Sequence, residues 1–315
     1  MPGPILVTGA TGFAGGHLLE HLIGLGRTVA SWSNPGGQQP ADIHADVHWR
    51  AIDLLDRKAV AAAIAELQPS AIYHCGGVAD VGGSWSRREQ ALRVNVMGTH
   101  HVLEGVRRAG LRCRVLVTGS ALVYRRADVP LDENAPIKPG TPYGVSKLAQ
   151  EMVALREGSF PVILVRPFNH AGPRQSTAYV TSSFARQIAE IEAGKSDPVL
   201  RVGNLDPRRD ITDVRDTVRA YRLVMEHGQP QRPYNVCRGV AYRIGDVLDI
   251  LLGLSNLSVR VEPDPARVRP SDNPVVLGDP TRIAREVGWR AEIPIEQTLS
   301  DLLQYWRGRT NAADA

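Results

Sequence analysis

In the stretch TPYGVSKLAQ, Tyr143 and Lys147 stand four residues apart. On a helix that spacing puts both side chains on one face, as a proton-transfer pair or as an ordinary solvated face. A phenol with a pKa of about 10 becomes useful at neutral pH only beside a cation, which Lys147 would supply. Upstream, RVLVTGSALVY carries Ser120 just past an apolar run. Near the N-terminus, VTGATGFAGG spaces Gly9, Gly12 and Gly15 as G-x-x-G-x-x-G, immediately after an apolar run and before an amphipathic one. Glycines at such a junction permit a tight turn and a close backbone approach, so that a helix N-terminus can face a pyrophosphate.

These residues need a frame that brings them together. The first half of the chain alternates apolar runs with helical patterns: PILVTG, TVASW, HWRAIDL, AIYHCGG, RVLVTGS and PVILVRPFN, with helices between them, among them long ones around 87–109 and 143–157. Six short strands separated by helices predict right-handed βαβ units and a doubly wound parallel α/β sheet of the Rossmann type. In that architecture chemistry gathers at the carboxyl ends of the strands, where Ser120, Tyr143 and Lys147 could meet. After about residue 168 the rhythm gives way to proline-rich loops and irregular elements. The expectation is a dinucleotide-binding domain over 1–168 and a smaller α+β substrate domain over 169–315 that exchanges segments with the first.

The end of the second strand reports on the dinucleotide. An acidic residue there would bind a ribose 2′-hydroxyl, whereas a 2′-phosphate wants arginine and no carboxylate. Ser33 and Asn34 occupy that end, which permits NADP(H), the favoured cofactor, and leaves NAD(H) as the alternative. Asp53, closing the third strand, is read as an adenine contact or as a loop-capping carboxylate.

Composition narrows the classes. The 315 residues are 43% hydrophobic and 22% charged, with no long apolar run and no charged-then-apolar leader, so neither a membrane span nor export is expected. Cys75, Cys113 and Cys237 are odd in number and far apart; they read as reduced core residues in a cytoplasmic protein rather than as a disulfide or metal framework. The net charge of +4 comes from scattered arginines, which argues against a nucleic-acid partner and for a small phosphate or diphosphate ligand. His100 and His101 are adjacent, do not share a helix face, and read as surface or interface residues; no metal site is expected.

The three motifs in this order resemble the extended short-chain dehydrogenase/reductases, over nearly the whole chain. The resemblance implies that Tyr143 is the general acid/base, that Lys147 lowers its pKa and holds the nicotinamide ribose, and that Ser120 bonds the substrate oxygen. It further implies cofactor contacts at Thr11, Phe13, Leu54, Gly76, Asn95 and Pro167, beside Gly9, Gly12, Gly15, Ser33, Asn34 and Asp53. Where the family more often has Leu-Ala-Ala, this chain has Cys75-Gly76-Gly77, and the glycines are expected to widen that wall.

RPFNHAGPRQ, FARQIAEIEAGK, VGNLDPRRDITDVRD, YNVCRG and VRPSDNP are similar to the nucleotide-sugar branch, most closely the GDP-4-keto-6-deoxy-D-mannose reductases and the GDP-mannose 4,6-dehydratases. That likeness implies substrate contacts at Ser84, Ser120, Asn169, Val180, Arg209, Arg269 and Asp272, with Arg209 alternatively paired to Asp210 or Asp213. It also implies a homodimer packed through the two long helices. The dehydratases carry a Glu two residues after the Ser/Thr for elimination; here that position is Leu122. An aliphatic side chain carries no proton, so the expected activity is reduction of a C4 ketone on a nucleotide-linked 4-keto-6-deoxyhexose. A 4-epimerase, a dehydratase and a dinucleotide-binding protein without turnover are the alternatives.

Overall fold

The computed structural model describes residues 3–37, 47–79, 82–255, 257–267 and 273–312. The first half alternates strand and helix: β1 (Ile5–Thr8), α1 (Phe13–Gly24), β2 (Val29–Ser33), β3 (His48–Ala51), α2 (Arg57–Leu67), β4 (Ala71–His74), α3 (Arg88–Leu92), α4 (Thr99–Arg108), β5 (Arg114–Thr118), α5 (Pro142–Leu155) and β6 (Val162–Pro167). The second half supplies β7 (Asn169–Ala171), α6 (Val180–Glu192), β8 (Val199–Val202), β9 (Arg208–Asp213), α7 (Val214–His227), β10 (Pro233–Val236), β11 (Ala241–Arg243), α8 (Ile244–Gly253), β12 (Arg260–Pro263), β13 (Val275–Val276), α9 (Thr281–Val287) and α10 (Ile295–Ala312).

Seven parallel strands form the central sheet in the order β10-β6-β5-β4-β1-β2-β3. Alternation along the strands fills two cores. Val7, Leu116, Ile163 and Val165 face α1, α7 and α9, while Leu6, Val115, Val117, Val162 and Leu164 face α2, α4 and α5. A sheet buried on both faces needs the near-continuous Val/Ile/Leu runs that these strands carry. The fold is thus the expected doubly wound α/β sheet. Its edge strand β10 comes from the second half of the chain, beside β6, and α7 and α9 from that half cover one face. A third core lies where α6, α8 and α10 pack on β7, β8 and β9.

Local chemistry sets the helix starts. Asp56 caps α2 through the Lys58 and Ala59 N–H groups, Thr141 caps α5 through Gly144 N–H at 3.0 Å with Pro142 in the first turn, and Asp213 caps α7 through Arg215 N–H. The helix expected at 87–109 is divided: residues Arg93–Gly98 between α3 and α4 are wound as a wider π turn. Its Asn95 side chain accepts from Val78 N–H (2.8 Å) and donates to Val78 O and to Ser146 Oγ (2.9 Å), which gives the wide turn a purpose; such turns recur at functional sites.

Candidate active site

A cleft of about 1540 Å³ opens along the carboxyl ends of the central strands, between the sheet and the second half of the chain. The glycine loop forms one end. Gly9 has φ +67°, a conformation that disfavours any side chain, and a Cβ there would come within 2.7 Å of the Gly76 backbone. A Cβ on Gly15 would sit 2.1 Å from the Gly9 carbonyl oxygen. Gly12 is the N-cap of α1 and brings no capping side chain, and the first turn has no acidic residue. The positive end of α1 is therefore turned, uncapped, to the cleft, a cradle that fits a pyrophosphate.

At the centre, Thr118 ends β5 and Ser120 follows it. Ser120 Oγ accepts from Leu122 N–H (3.1 Å) and bonds the buried phenol of Tyr143. The Tyr143 hydroxyl is pushed upward, first by burial and then by the nearby Tyr179, with the Ser120 bond opposing. Lys147 lies with its Nζ 5.9 Å from the centroid of the Tyr143 ring and donates to Thr118 O (2.9 Å) and Gln150 Oε1 (2.8 Å). Burial lowers Lys147 to about 8, with Cys75 opposing. A phenol lowered by the lysine was expected from the sequence; in this arrangement desolvation dominates instead, and the phenol stays protonated at neutral pH.

Gly9, Thr11, Gly12, Phe13, Gly15, Ser33, Asn34, Asp53, Leu54, Gly76, Tyr143, Lys147 and Pro167 all line the cleft, as do Ser120, Asn169, Val180 and Arg209. Asp53 also accepts from Leu55 N–H (2.9 Å), so it caps its loop as well. Arg209 donates to the carbonyls of Arg208 (2.9 Å) and Asn273 (2.6 Å). Asp213 is engaged by Arg215 and Thr298, and Asp210 by the N–H groups of Arg238, Gly239 and Gly278. Arg269 and Asp272 lie outside the described residues.

Four expectations are corrected. Ser84 is fully buried in the short helical turn Gly83–Trp85 and does not line the cleft, because the turn directs it inward and leaves Trp85 and Ser86 on the wall. Asn95 is likewise buried; it braces the loop after β4 from behind, through Val78 and Ser146, rather than lining the groove. Gly76 and Gly77 do not widen the wall: a Cβ on Gly76 would meet Leu54 Cδ1 at 2.8 Å, and one on Gly77 would meet Asn95 Oδ1 at 2.7 Å. The room made by removing the methyls is already filled. His101 is buried with its Nδ1 against Leu54 O (2.8 Å), so it belongs to the core of the first half rather than to its surface.

Other residues, in the cleft wall or just behind it, escaped the sequence reading. Tyr179, the residue before α6, donates from its hydroxyl across the cleft to Ala79 O (3.1 Å). Nothing in the sequence around it marks that role. Gln150, three residues after Lys147, is buried against it, and the i, i+3 spacing was the available signal.

A doubly wound sheet whose carboxyl edge carries a glycine loop, a serine after the fifth strand and Tyr-x-x-x-Lys is the site of the extended short-chain dehydrogenase/reductases. Within that class the chain belongs to the GDP-mannose 4,6 dehydratase family, whose model matches residues 6–302. It is 32% identical over 311 residues to GDP-6-deoxy-D-mannose reductase of Pseudomonas aeruginosa, covering 97% of both chains. It is 26% identical over 344 residues to GDP-mannose 4,6-dehydratase of Vibrio cholerae, covering 95% of this chain and 92% of that one. Its fold superposes with a TM-score of 0.83 on the structure of RMD from Pseudomonas aeruginosa complexed with NADPH, at 29% identity and covering 97% of this chain and 99% of the other.

Proposed function

We propose that the protein reduces the C4 ketone of a nucleotide-linked 4-keto-6-deoxyhexose, with GDP-4-keto-6-deoxy-D-mannose as the favoured substrate. The observation that carries this reading is Leu122, an aliphatic side chain on the cleft wall between Ser120 and Tyr124. Among the described residues lining the cleft the carboxylates are Asp53, at the end of the third strand, and Glu89, 3.8 Å from Arg93. Neither stands beside Ser120 in the chain, so elimination at C5–C6 has no proton carrier at the dehydratase position.

A reduced nicotinamide dinucleotide, bound along the Gly9–Gly15 loop and the Ser33–Asn34 and Asp53–Leu54 edges, supplies the hydride. The remaining work falls to the chain. Ser120 orients the ketone oxygen, and the phenol of Tyr143 gives it a proton, so that C4=O becomes C4–OH. A phenol held protonated by burial is the right form for a donor. Lys147 stabilises the phenolate that remains and holds the ribose. Arg209 and Asn169 meet the diphosphate, where the planar guanidinium suits phosphate oxygens. NADPH is the preferred cofactor, since no carboxylate follows β2 at Ser33 and Asn34. Residues 1–168 carry the dinucleotide and 169–315 the sugar side, with the second part lending β10 and α7 to the sheet.

A second copy of the chain is the expected partner, through α3, the π turn and α5, where Leu92, Met97, Val145 and Met152 are exposed large apolar side chains. The cytoplasm suits its three unpaired thiols. The deciding assay supplies GDP-4-keto-6-deoxymannose with NADPH or NADH and follows the nicotinamide absorbance and the product sugar. Oxidation of the reduced cofactor with formation of a 6-deoxy sugar is expected, faster with NADPH. No oxidation with this or any other nucleotide keto-sugar sinks the reading, and a keto-sugar formed directly from GDP-mannose restores the dehydratase.

A further inference from the structure

Behind the glycine loop and Lys147, a line of buried polar groups crosses the apolar layer between the sheet and α4 and α5. Lys147 Nζ donates to Gln150 Oε1 (2.8 Å), and Gln150 Nε2 donates to Thr99 Oγ1 (2.9 Å). Thr99 gives its own proton to Asn95 O (2.7 Å) and therefore accepts from His74 Nε2 (2.9 Å). That fixes His74 as the Nε2–H tautomer and leaves Nδ1 to accept from Thr8 Oγ1 (2.8 Å), which in turn accepts from Gly76 N–H (3.1 Å). Thr8, His74, Thr99 and Gln150 are wholly shielded from solvent. Each link dictates the next, so the Gln150 amide cannot turn over: the ammonium requires its oxygen and Thr99 requires its N–H.

We infer that Gln150 is the positioning residue of Lys147: it holds the ammonium at the cleft floor, together with Thr118 O, so that the third N–H is left for a bound ligand. The line through Thr99, His74 and Thr8 locks Gln150 in that orientation and ties it to the backbone of the wall at Gly76. The inference rests on the reading of Tyr143 and Lys147 as the catalytic pair. Its physical content is the fate of a buried cation. Desolvation already weakens the charged form of Lys147, and a carbonyl acceptor inside a low-dielectric layer is what keeps it charged. Among the described residues, the other titratable groups around it are Tyr143 on its own helix, His74 and Cys75 at the end of β4, Tyr221 of α7 behind Cys75 and Tyr143, and Tyr179 beside Tyr143. His74 is held neutral by burial, at about 3, and Cys75 is pushed up to about 12, so neither supplies a counter-charge at neutral pH.

The test compares wild type with Gln150→Met and Gln150→Glu. Met fills the same space without an acceptor, and Glu keeps the shape and adds a charge. The pH profile of kcat/KM, with KM for dinucleotide and sugar resolved separately, should lose its alkaline limb at lower pH in Q150M and at higher pH in Q150E. At neutral pH, Q150M should lose about tenfold in kcat/KM, the scale of one hydrogen bond to a charged group, with KM for the dinucleotide raised more than KM for the sugar. A limb that stays in place in both variants, or moves the same way in both, reduces Gln150 to packing and overturns the inference. The Lys147 ammonium is also titrated directly, by nitrogen-15 NMR of the resting protein, so that the result does not depend on turnover. Opposite shifts of that titration with no turnover of any keto-sugar by wild type would sink the functional reading alone. Identical titrations in an active enzyme would sink this inference alone.

Discussion

The two walls of the cleft are made by different means. On the dinucleotide side the shape comes from main chain and from neutral buried groups: Gly9 and Gly15 packed to contact, Gly76 and Gly77 against Leu54 and Asn95, and the Thr8–His74–Thr99–Gln150 line beneath. Elsewhere the lining is rich in guanidinium groups, with Arg87 and Arg88 at the start of α3, Arg125 and Arg126 after β5, and Arg209 on β9. A wall of close-packed backbone admits no extra atom, whereas a wall of long cationic side chains can change its ligand without disturbing the fold. On the proposed function, the close-packed backbone would hold the dinucleotide and the guanidinium groups would meet the sugar nucleotide.

Four experiments test whether the two walls act separately. The largest effect is expected from Tyr143→Phe, which should cut kcat by about 10²–10⁴-fold, the usual worth of a placed proton donor, while dinucleotide affinity by fluorescence titration stays within about twofold. Unchanged turnover would remove Tyr143 from its role. Next is Gly15→Ala. Its methyl must displace the Gly9 carbonyl, so dinucleotide binding should be lost and stability should fall by about 1–3 kcal/mol, the usual cost of overpacking; a chemical denaturation curve and the same titration check both. Arg209→Met should act on one wall only, weakening sugar-nucleotide binding by about 1.5–3 kcal/mol as for other bonds to charged groups, with dinucleotide affinity unmoved. An equal loss on both ligands would erase the distinction between the walls.

The smallest effect is a pH dependence of stability. Burial lowers His74 from 6.5 to about 3 in the folded protein. The unfolded chain therefore takes up that proton first, so stability is full above about 6.5 and is lost as pH falls toward 3. Urea unfolding should show wild type about 1 kcal/mol less stable at about pH 5.5 than at pH 7 on this account, and His74→Gln should flatten that part of the curve. A slope unaltered by the substitution would mean that other groups set it.

Much of the first wall was legible in the sequence because its requirements are local. A glycine loop between strand and helix, a serine past β5 and Tyr-x-x-x-Lys after a Thr-Pro helix start each announce themselves within ten residues. The buried line was not legible, since it joins residues 8, 74, 99 and 150 and exists only once two strand ends and two helices converge. The glycines at 76 and 77 were read as open space because sequence gives the size of a residue and not of its neighbour. Ser84 and Asn95 were placed at the surface of the groove by motif position, but a tight turn in one case and a wide turn in the other send them behind it. On the arginine side the likeness picked out Arg209, whereas Arg125, Arg126 and Tyr179 reach the cleft from loops whose course no local pattern encodes.

The position of β10 beside β6 bears on how the molecule is made. During synthesis the first six strands emerge before residue 168, yet the strand that closes the sheet is not available until residues 233–236 have left the ribosome. Until then Val162, Ile163, Leu164 and Val165 form an unpaired apolar edge, the kind of surface that recruits a stray strand from another chain. A nascent chain stalled or cut between 168 and 233 is thus a sticky intermediate rather than a finished dinucleotide domain, and the arrival of the second half both seals that edge and completes the cleft.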